Sequence, residues 1–322
     1  MSGPDLYEMF RSETLKEKVM QLQQTVKRNY TFEGKGLHTG KVAKMTVCPA
    51  PEDTGIVFRR TDLGGDAVVP ALAENVSNTA RSTTISSGNA SVSTIEHILS
   101  ALTGMGVDNA YIDIDNVEVP ILDGSAKPYI DAIWKDGLHQ QDAPRRYVEI
   151  KETIEIRNEE KGSLVRIEPA DDFQYDIMVD FNSKVLGVQH ACWDSSVLYP
   201  EQIGVCRTFV FFHEIEFLFN NNLVKGGDVD NAIVIVEHPV TDEQVERMSK
   251  LFNVPALKVR EDGYLSNLVL RFPNECARHK LLDLIGDLRL CGGFLKAKVT
   301  AEKAGHGINT TAAKAVRQSL AL

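Results

Sequence analysis

Twice along this 322-residue chain, a run of alternating strands leads into one leucine-rich helix that carries a histidine. Each time a glycine-bearing turn and another alternating strand follow. In the first half the strands are "TVKRNYTFEG", "VAKMTVCPA" and "TGIVFRRTD", separated by the turns "GKGLHTG" and "LGGD". A helix is expected in "VSTIEHILSALTGMG", with Ser93 or Thr94 as N-cap and Gly104 or Gly106 as its stop. The strand "AYIDID", the turn "VEVPILDGSA" and a helix in "KPYIDAIWKDG" complete that half. The second half offers strands in "VEIKETIEIR", "SLVRIEPA" and "FQYDIMVDF", the helix "NECARHKLLDLIGDLRL", the strand "KAKVTAE" and a closing helix in "NTTAAKAVRQSLAL". The polar segment "QQDAPRRY", residues 140–147, is read as the linker. This order predicts an α+β fold of two structurally similar domains, each a sheet covered by helices. The expected division is a frayed or appended leader over 1–22, a first domain over 23–142 and a second over 143–322.

Charge and composition remove several function classes. The formal net charge of −10 makes a general nucleic-acid binder a poor fit. No stretch approaches the roughly 18 consecutive apolar residues that span a bilayer. The N-terminus lacks the apolar core and small-residue cleavage site of a signal peptide. Five scattered cysteines, none in a CxxC pair, argue against a disulfide framework and a thiolate metal site, and the cytoplasm is the expected compartment.

The chemistry-bearing residues sit in the two leucine-rich helices. Helical residues four apart share a side, so His279 and Asp283 can converge on one point. Such a pair suits a zinc ion, which in hydrolytic sites takes about three protein ligands; taken alone, it more often is a plain hydrogen-bonded pair or has its acid facing solvent. In "STIEHILSAL", Glu96 directly precedes His97, and adjacent helical side chains point roughly 100° apart. The two can therefore flank one site, His97 on a metal and Glu96 beside a water whose pKa the metal lowers toward about 7. Alone, the pair reads as an exposed helix edge. His306, between Gly305 and Gly307, reads as a loop histidine able to protonate a leaving amine, with Asp287 to hold it charged. His38, in a glycine turn, can touch a ligand. His139, His190, His213 and His238 lack a partner set, and Glu237-His238 is a decoy because Pro239 follows it.

Six motifs, "GLHTG", "STIEHILSAL", "VPILDGSA", "CRTFVFF", "HKLLDLIGDL" and "KAGHGIN", in this order and spacing, resemble the zinc-dependent UDP-3-O-acyl-N-acetylglucosamine deacetylases of lipid A biosynthesis. The resemblance covers the chain from about Gln24 onward. It implies helices packed between two sheets, and a β-α-β insert over about 207–236 that forms a passage for an acyl chain. It implies His97, His279 and Asp283 as ligands of zinc, with iron as the alternative metal. Glu96 would be general base, His306 general acid positioned by Asp287, and Thr208 an oxyanion donor. Lys280 and Lys303 would lie near the nucleotide or diphosphate; Phe209, Phe211, Phe212, Phe217 and Phe219, with Ile215 and Leu218, would line the passage. Gly227, in the turn out of the insert, and His38 are further substrate contacts. The implied partner is a UDP-linked acylated amino sugar, hydrolysed to acetate and free amine by a monomer with at most loose membrane contact.

"GKGLHTG", "PALAEN" and "STIEH" look most like the Bacteroidetes branch, where the enzyme is often fused to a downstream 3-hydroxyacyl-carrier-protein dehydratase. The ending "VRQSLAL" then suggests a shortened form of a fused protein. Two rivals are a zinc amidohydrolase acting on another acetylated sugar, disfavoured by the phenylalanine-rich insert, and a non-catalytic binding domain, disfavoured by the complete ligand set. Residues 237–267 receive no role.

Overall fold

A computed structural model describes residues 21–64, 67–215, 225–228, 230–251, 254 and 257–320. Most of the expected leader, and Phe217, Leu218 and Phe219 of the expected passage, lie outside the described residues. The first sheet contains β2 (Tyr30–Lys35), β3 (Val42–Pro49), β4 (Ile56–Arg60), β5 (Val68–Pro70) and β9 (Ala110–Ile114), in the order β2-β3-β9-β4-β5. The second contains β12 (Ile154–Asn158), β13 (Ser163–Pro169), β14 (Gln174–Asp180), β15 (Val188–Asp194) and β18 (Phe294–Glu302), in the order β12-β13-β18-β14-β15.

These are the same topology. In each, the last strand of the set inserts at the centre, antiparallel to the second (β3–β9, β13–β18) and parallel to the third (β4–β9, β14–β18). The outer pairs are antiparallel in both. A parallel neighbour needs a crossover, normally helical, and each central strand is preceded by one: α1 (Glu96–Met105) before β9 and α5 (Glu275–Leu288) before β18. A further helix follows each, α2 (Lys127–Trp134) and α6 (His306–Leu320). The duplication faintly visible in the sequence is thus a duplication of strand order and pairing sense.

Alternation explains how each sheet buries one face. In β3, Ala43, Met45 and Val47 point inward; in β18, Leu295, Ala297, Val299 and Ala301 do. The inward faces of both sheets join α1 and α5 in one core. The helix α5 packs on α1, β14 and β15, and α6 packs on α5, β12 and β13. The helix α5 is buried almost all round, its polar residues included, because it is covered on nearly every side. Its Leu281, Leu282, Leu284, Ile285 and Leu288 are fully buried. At about 1.5–3 kcal/mol each, they offset the cost of drawing His279, Asp283 and Asp287 out of water.

Three local expectations change. The helix α1 begins at Glu96, and neither Ser93 nor Thr94 caps it: Ser93 ends a strand, and Thr94, at φ +58°, gives its hydroxyl to Glu118. Gly106, left-handed at φ +83°, ends it as expected. The segment 140–147, read as the linker, is itself mostly strand. The strand β10 (Leu138–Pro144) pairs with β1 (Leu22–Val26), and β11 (Tyr147–Glu149) adds in parallel to β18. Its alternating side chains bond the first half, Gln141 to Asn109 and Ala50. Finally, His306 is the first residue of α6, not a loop residue.

The insert holds β16 (Phe209–Phe211) parallel to β17 (Ile233–Ile235), and α4 (Asp242–Leu251) follows; the short helix α3 (Tyr199–Gln202) precedes it. The unassigned segment 237–267 gives this insert its own core. Val245 and Met248 of α4 and Leu265 bury against Phe212, Ile215, Val234 and Val236.

Candidate active site

The helices α1 and α5 come into backbone contact at one glycine. A Cβ on Gly286 would lie 2.1 Å from the Glu96 carbonyl oxygen, so only glycine allows this approach. It sets the first turn of α1 against the acidic face of α5. There His97 Nε2 lies 3.7 Å from Asp283 Oδ1, and His279 Nε2 lies 3.5 Å from the same oxygen. One ligand atom of each of the three residues falls within 4.8 Å of the other two. The imidazoles meet edge to face at 5.0 Å.

The three residues fit a metal ion on the chemistry of their donors. Asp283 Oδ1 is buried and has no hydrogen-bond partner among the described residues, a costly state for a carboxylate oxygen. Its Oδ2 is taken by Lys280 Nζ at 2.8 Å. His279 Nδ1 sits 3.0 Å from the Cys206 carbonyl, which fixes the proton there and leaves the Nε2 lone pair facing Asp283. Burial, then the neighbouring His279, pushes His97 down to about 3, a neutral imidazole. Burial likewise lowers His279. Against its own burial, Lys280 and the histidines hold Asp283 well below the usual carboxylate range. Two neutral imidazoles and one carboxylate are donors that suit a divalent metal ion.

Beside this set lies a second cluster. Glu96 Oε2 accepts the Thr83 amide at 3.0 Å, and its Oε1 lies 3.9 Å from His306 Nε2. Burial raises Glu96 to about 7; His306 opposes the rise, and Asp283 and Asp287 add to it. Asp287, fully buried, accepts His306 Nδ1 at 2.9 Å, Asn309 Nδ2 at 2.9 Å and the Thr83 hydroxyl at 2.5 Å. Burial works to neutralise His306, but Asp287 and then Glu96 outweigh it and raise the imidazole to about 9. Asp287 also accounts for the early start of α6: His306 and Asn309, one turn apart, both bond it and draw the first turn onto α5.

Thr208 is placed by its neighbours. Its amide donates to the Gly124 carbonyl and its carbonyl accepts from Ile233, two residues past the carbonyl that touches His279. This segment hangs on a buried pair: Arg207 Nε donates to Glu275 Oε1 at 2.9 Å, and the Arg207 amide to the same oxygen at 3.1 Å. Phe209 lies 6.4 Å from the His279 ring and packs with Phe211 and Phe181. Phe212 is not brought to the site; it lies just past the end of β16, where the chain turns helical, and packs into the core of the insert.

Lys280 is a nearly buried partner of Asp283, not a solvated lysine, and Asp283 outweighs burial to raise its pKa. Lys303 is half-exposed and paired with Asp180 at 2.7 Å. His38 is half-buried, and Gly227 follows a glycine whose amide bonds Leu37. Sequence reasoning missed Thr83, Asn309, Phe181, the Cys206 carbonyl, the Arg207–Glu275 pair and Gly286. For the last a signal existed, a glycine inside a leucine-rich helix.

A histidine, histidine and aspartate set beside a buried carboxylate and a carboxylate-held imidazolium fits the class of metal-assisted hydrolases. Comparison with known proteins narrows the class. The family model described as UDP-3-O-acyl N-acetylglycosamine deacetylase matches residues 23–254 and 248–318, and the chain belongs to that family. It is 44% identical over 301 residues to "Bifunctional enzyme LpxC/FabZ" of Porphyromonas gingivalis, covering 94% of this chain and 65% of that protein. The protein of the same name from Bacteroides thetaiotaomicron is 39% identical, covering 93% and 65%. "UDP-3-O-acyl-N-acetylglucosamine deacetylase" of Teredinibacter turnerae is 39% identical over 290 residues, covering 89% and 87%. The chain thus spans 65% of the length of the bifunctional relatives. Among the described residues, no helix is long and apolar enough to cross a membrane.

Proposed function

We propose that this chain hydrolyses the N-acetyl group of UDP-3-O-(3-hydroxyacyl)-N-acetylglucosamine to acetate and free amine, an early step of lipid A biosynthesis. The observation that carries the reading is the convergence of His97, His279 and Asp283 with Glu96 on one side and the Asp287–His306 pair beyond it. The names of the relatives supply the substrate. His97, His279 and Asp283 would hold the metal, zinc in this reading and iron as the alternative. When bound, such an ion polarises the amide carbonyl and activates water.

The protein residues divide the proton transfers. Glu96, raised to about 7, takes a proton from the attacking water. His306, raised to about 9, carries the proton that goes to the leaving nitrogen as the C–N bond breaks. Asp287 keeps that imidazole charged and oriented through Nδ1, leaving Nε2 to face Glu96 and the substrate. The Thr208 hydroxyl donates to the oxyanion that develops on the carbonyl. Phe209 and Phe211, joined by Phe181, form an apolar wall for the acyl chain beside His279. His38 and Gly227 contact the substrate, and Lys303 lies toward its diphosphate. Lys280 serves Asp283 in this reading, steadying the carboxylate through Oδ2. The chain divides into two domains near 142/143 and works as a cytoplasmic monomer.

The test is acetate release from that substrate, resolved from release by the analogue lacking the acyl chain. Stoichiometric acetate and free amine are expected; metal bound with no acetate released would remove the substrate assignment. The pH profile of kcat/KM should be bell-shaped. The ascending limb reports ionisation of Glu96 and should fall at or below about 7, because a nearby cation stabilises a carboxylate. The descending limb reports loss of the His306 proton, at or below about 9, because the same cation disfavours a charged imidazolium. Measuring His306→Ala checks it: a descending limb that survives in that variant belongs to another group.

A further inference from the structure

Glu118 is almost fully buried, 1% exposed, and takes no direct part in the chemistry proposed above. Its hydrogen-bond donors among the described residues are all neutral groups. Its Oε1 accepts the His38 amide at 2.8 Å and the Thr94 hydroxyl at 3.0 Å, and its Oε2 accepts the Thr39 amide at 2.8 Å. Three donors from two distant segments therefore end on one carboxylate. The backbone around it is equally tied: Val117 and Val119 bond Ser93, and Ile121 bonds Lys35. A Cβ on Gly36 would lie 2.4 Å from Glu118 Oε2, so the glycine leaves the space the carboxylate fills.

The loop held in this way carries the segment of the insert ahead of β17 on its other side. The amides of Lys225 and Gly226 donate to the carbonyls of His38 and Leu37, at 3.2 and 3.0 Å. A Cβ on Gly226 would meet the Gly36 carbonyl at 2.1 Å. Within the loop, His38 Nε2 is buried without a hydrogen-bond partner among the described residues, and its imidazole senses the charge of His306. We propose that Glu118 is a positioning residue that fixes loop 36–40 against the segment of the insert at Lys225 and Gly226, so that His38 is presented to the acylated nucleotide-sugar. The link to substrate rests on the function proposed above; the anchoring does not. Glutamate is required because it offers only acceptors, whereas glutamine would turn an amide N–H toward one of the backbone donors.

Two variants test this in the full chain, Glu118→Gln and, independently, Gly36→Ala. Hydrogen exchange should quicken at the amides of His38, Thr39, Lys225 and Gly226, while the amides of α1 keep their protection. Loss of a charge-assisted anchor should raise KM for the acylated substrate by about tenfold or more. The same variants should hold kcat within about threefold and leave metal content unchanged, since neither residue touches the reacting atoms. Unchanged exchange at those four amides in both variants overturns the proposal. A fall in kcat with KM unmoved overturns it too, because Glu118 would then act through Thr94 on α1. If the wild-type chain releases no acetate, the proposed function fails while the exchange comparison still decides the anchoring.

Discussion

Replacing Glu96 with glutamine is expected to leave the metal bound and to lower turnover by about 10²–10⁴-fold, the usual worth of a positioned general base. Glutamine keeps the size of the side chain and, through its carbonyl oxygen, the acceptor that Thr83 uses. It cannot take a proton. Glu96 is not one of the three convergent ligand residues, so metal content should match the wild type. The same substitution removes one of the carboxylates that hold His306 charged, and the descending limb of the pH profile should move to lower pH in whatever activity remains. Turnover measured beside metal content in one preparation checks both parts. A variant that loses metal together with activity would mean Glu96 is itself a ligand.

The second large effect comes from a residue with no side chain. Gly286→Ala places a methyl group where the Glu96 carbonyl oxygen lies, 2.1 Å from the ideal Cβ position. Neither atom belongs to a flexible side chain, so α1 and α5 must separate. Overpacking of this kind costs about 1–3 kcal/mol of stability, although alanine is the better helix former. The functional loss should be larger than the loss of stability implies. The displaced turn carries Glu96 and His97, and a misplacement of about 1 Å can cost about 10²-fold in rate. Thermal unfolding and kcat/KM together test this. A fully active Gly286→Ala would show that the helices need no such closeness.

Much of the site was legible because helical spacing is short-range. His279, Asp283 and Asp287 lie one turn apart, and Glu96 adjoins His97, so residue order alone gathers them onto two helices. What periodicity could not state is which long-range partners close the cluster. Thr83 meets Asp287 across 204 residues of chain, and a buried threonine hydroxyl leaves no mark in the sequence. Asn309 escaped for a different reason. Reading His306 as a loop residue hid that the two share one face of α6, and the tertiary pull of Asp287 starts that helix a turn early.

The sheets divide in the same manner. Alternation marks β3 and β18 correctly, yet the insertion of β9 and β18 at the centres of their sheets is a matter of non-local pairing that no window contains. In the segment 140–147 the polar residues and proline hid a strand, and edge pairing with β1 accommodates both. The phenylalanines of the insert carried a readable signal. Positions 209 and 211 share one face of a strand and lie toward His279, whereas Phe212, beyond the strand's end, enters the internal core.

The measurement closest to the central claim is the metal content of the purified chain and of its Asp283→Ala variant, taken after equilibration with zinc and removal of excess ion. Asp283 is the residue both histidines face, and its Oδ1 is the buried oxygen left without a partner among the described residues. The account predicts one tightly held ion per wild-type chain. It predicts loss of that ion, with turnover, in the variant, while the far-ultraviolet spectrum is retained. An Asp283→Ala chain that binds the metal as the wild type does and still releases acetate would contradict it.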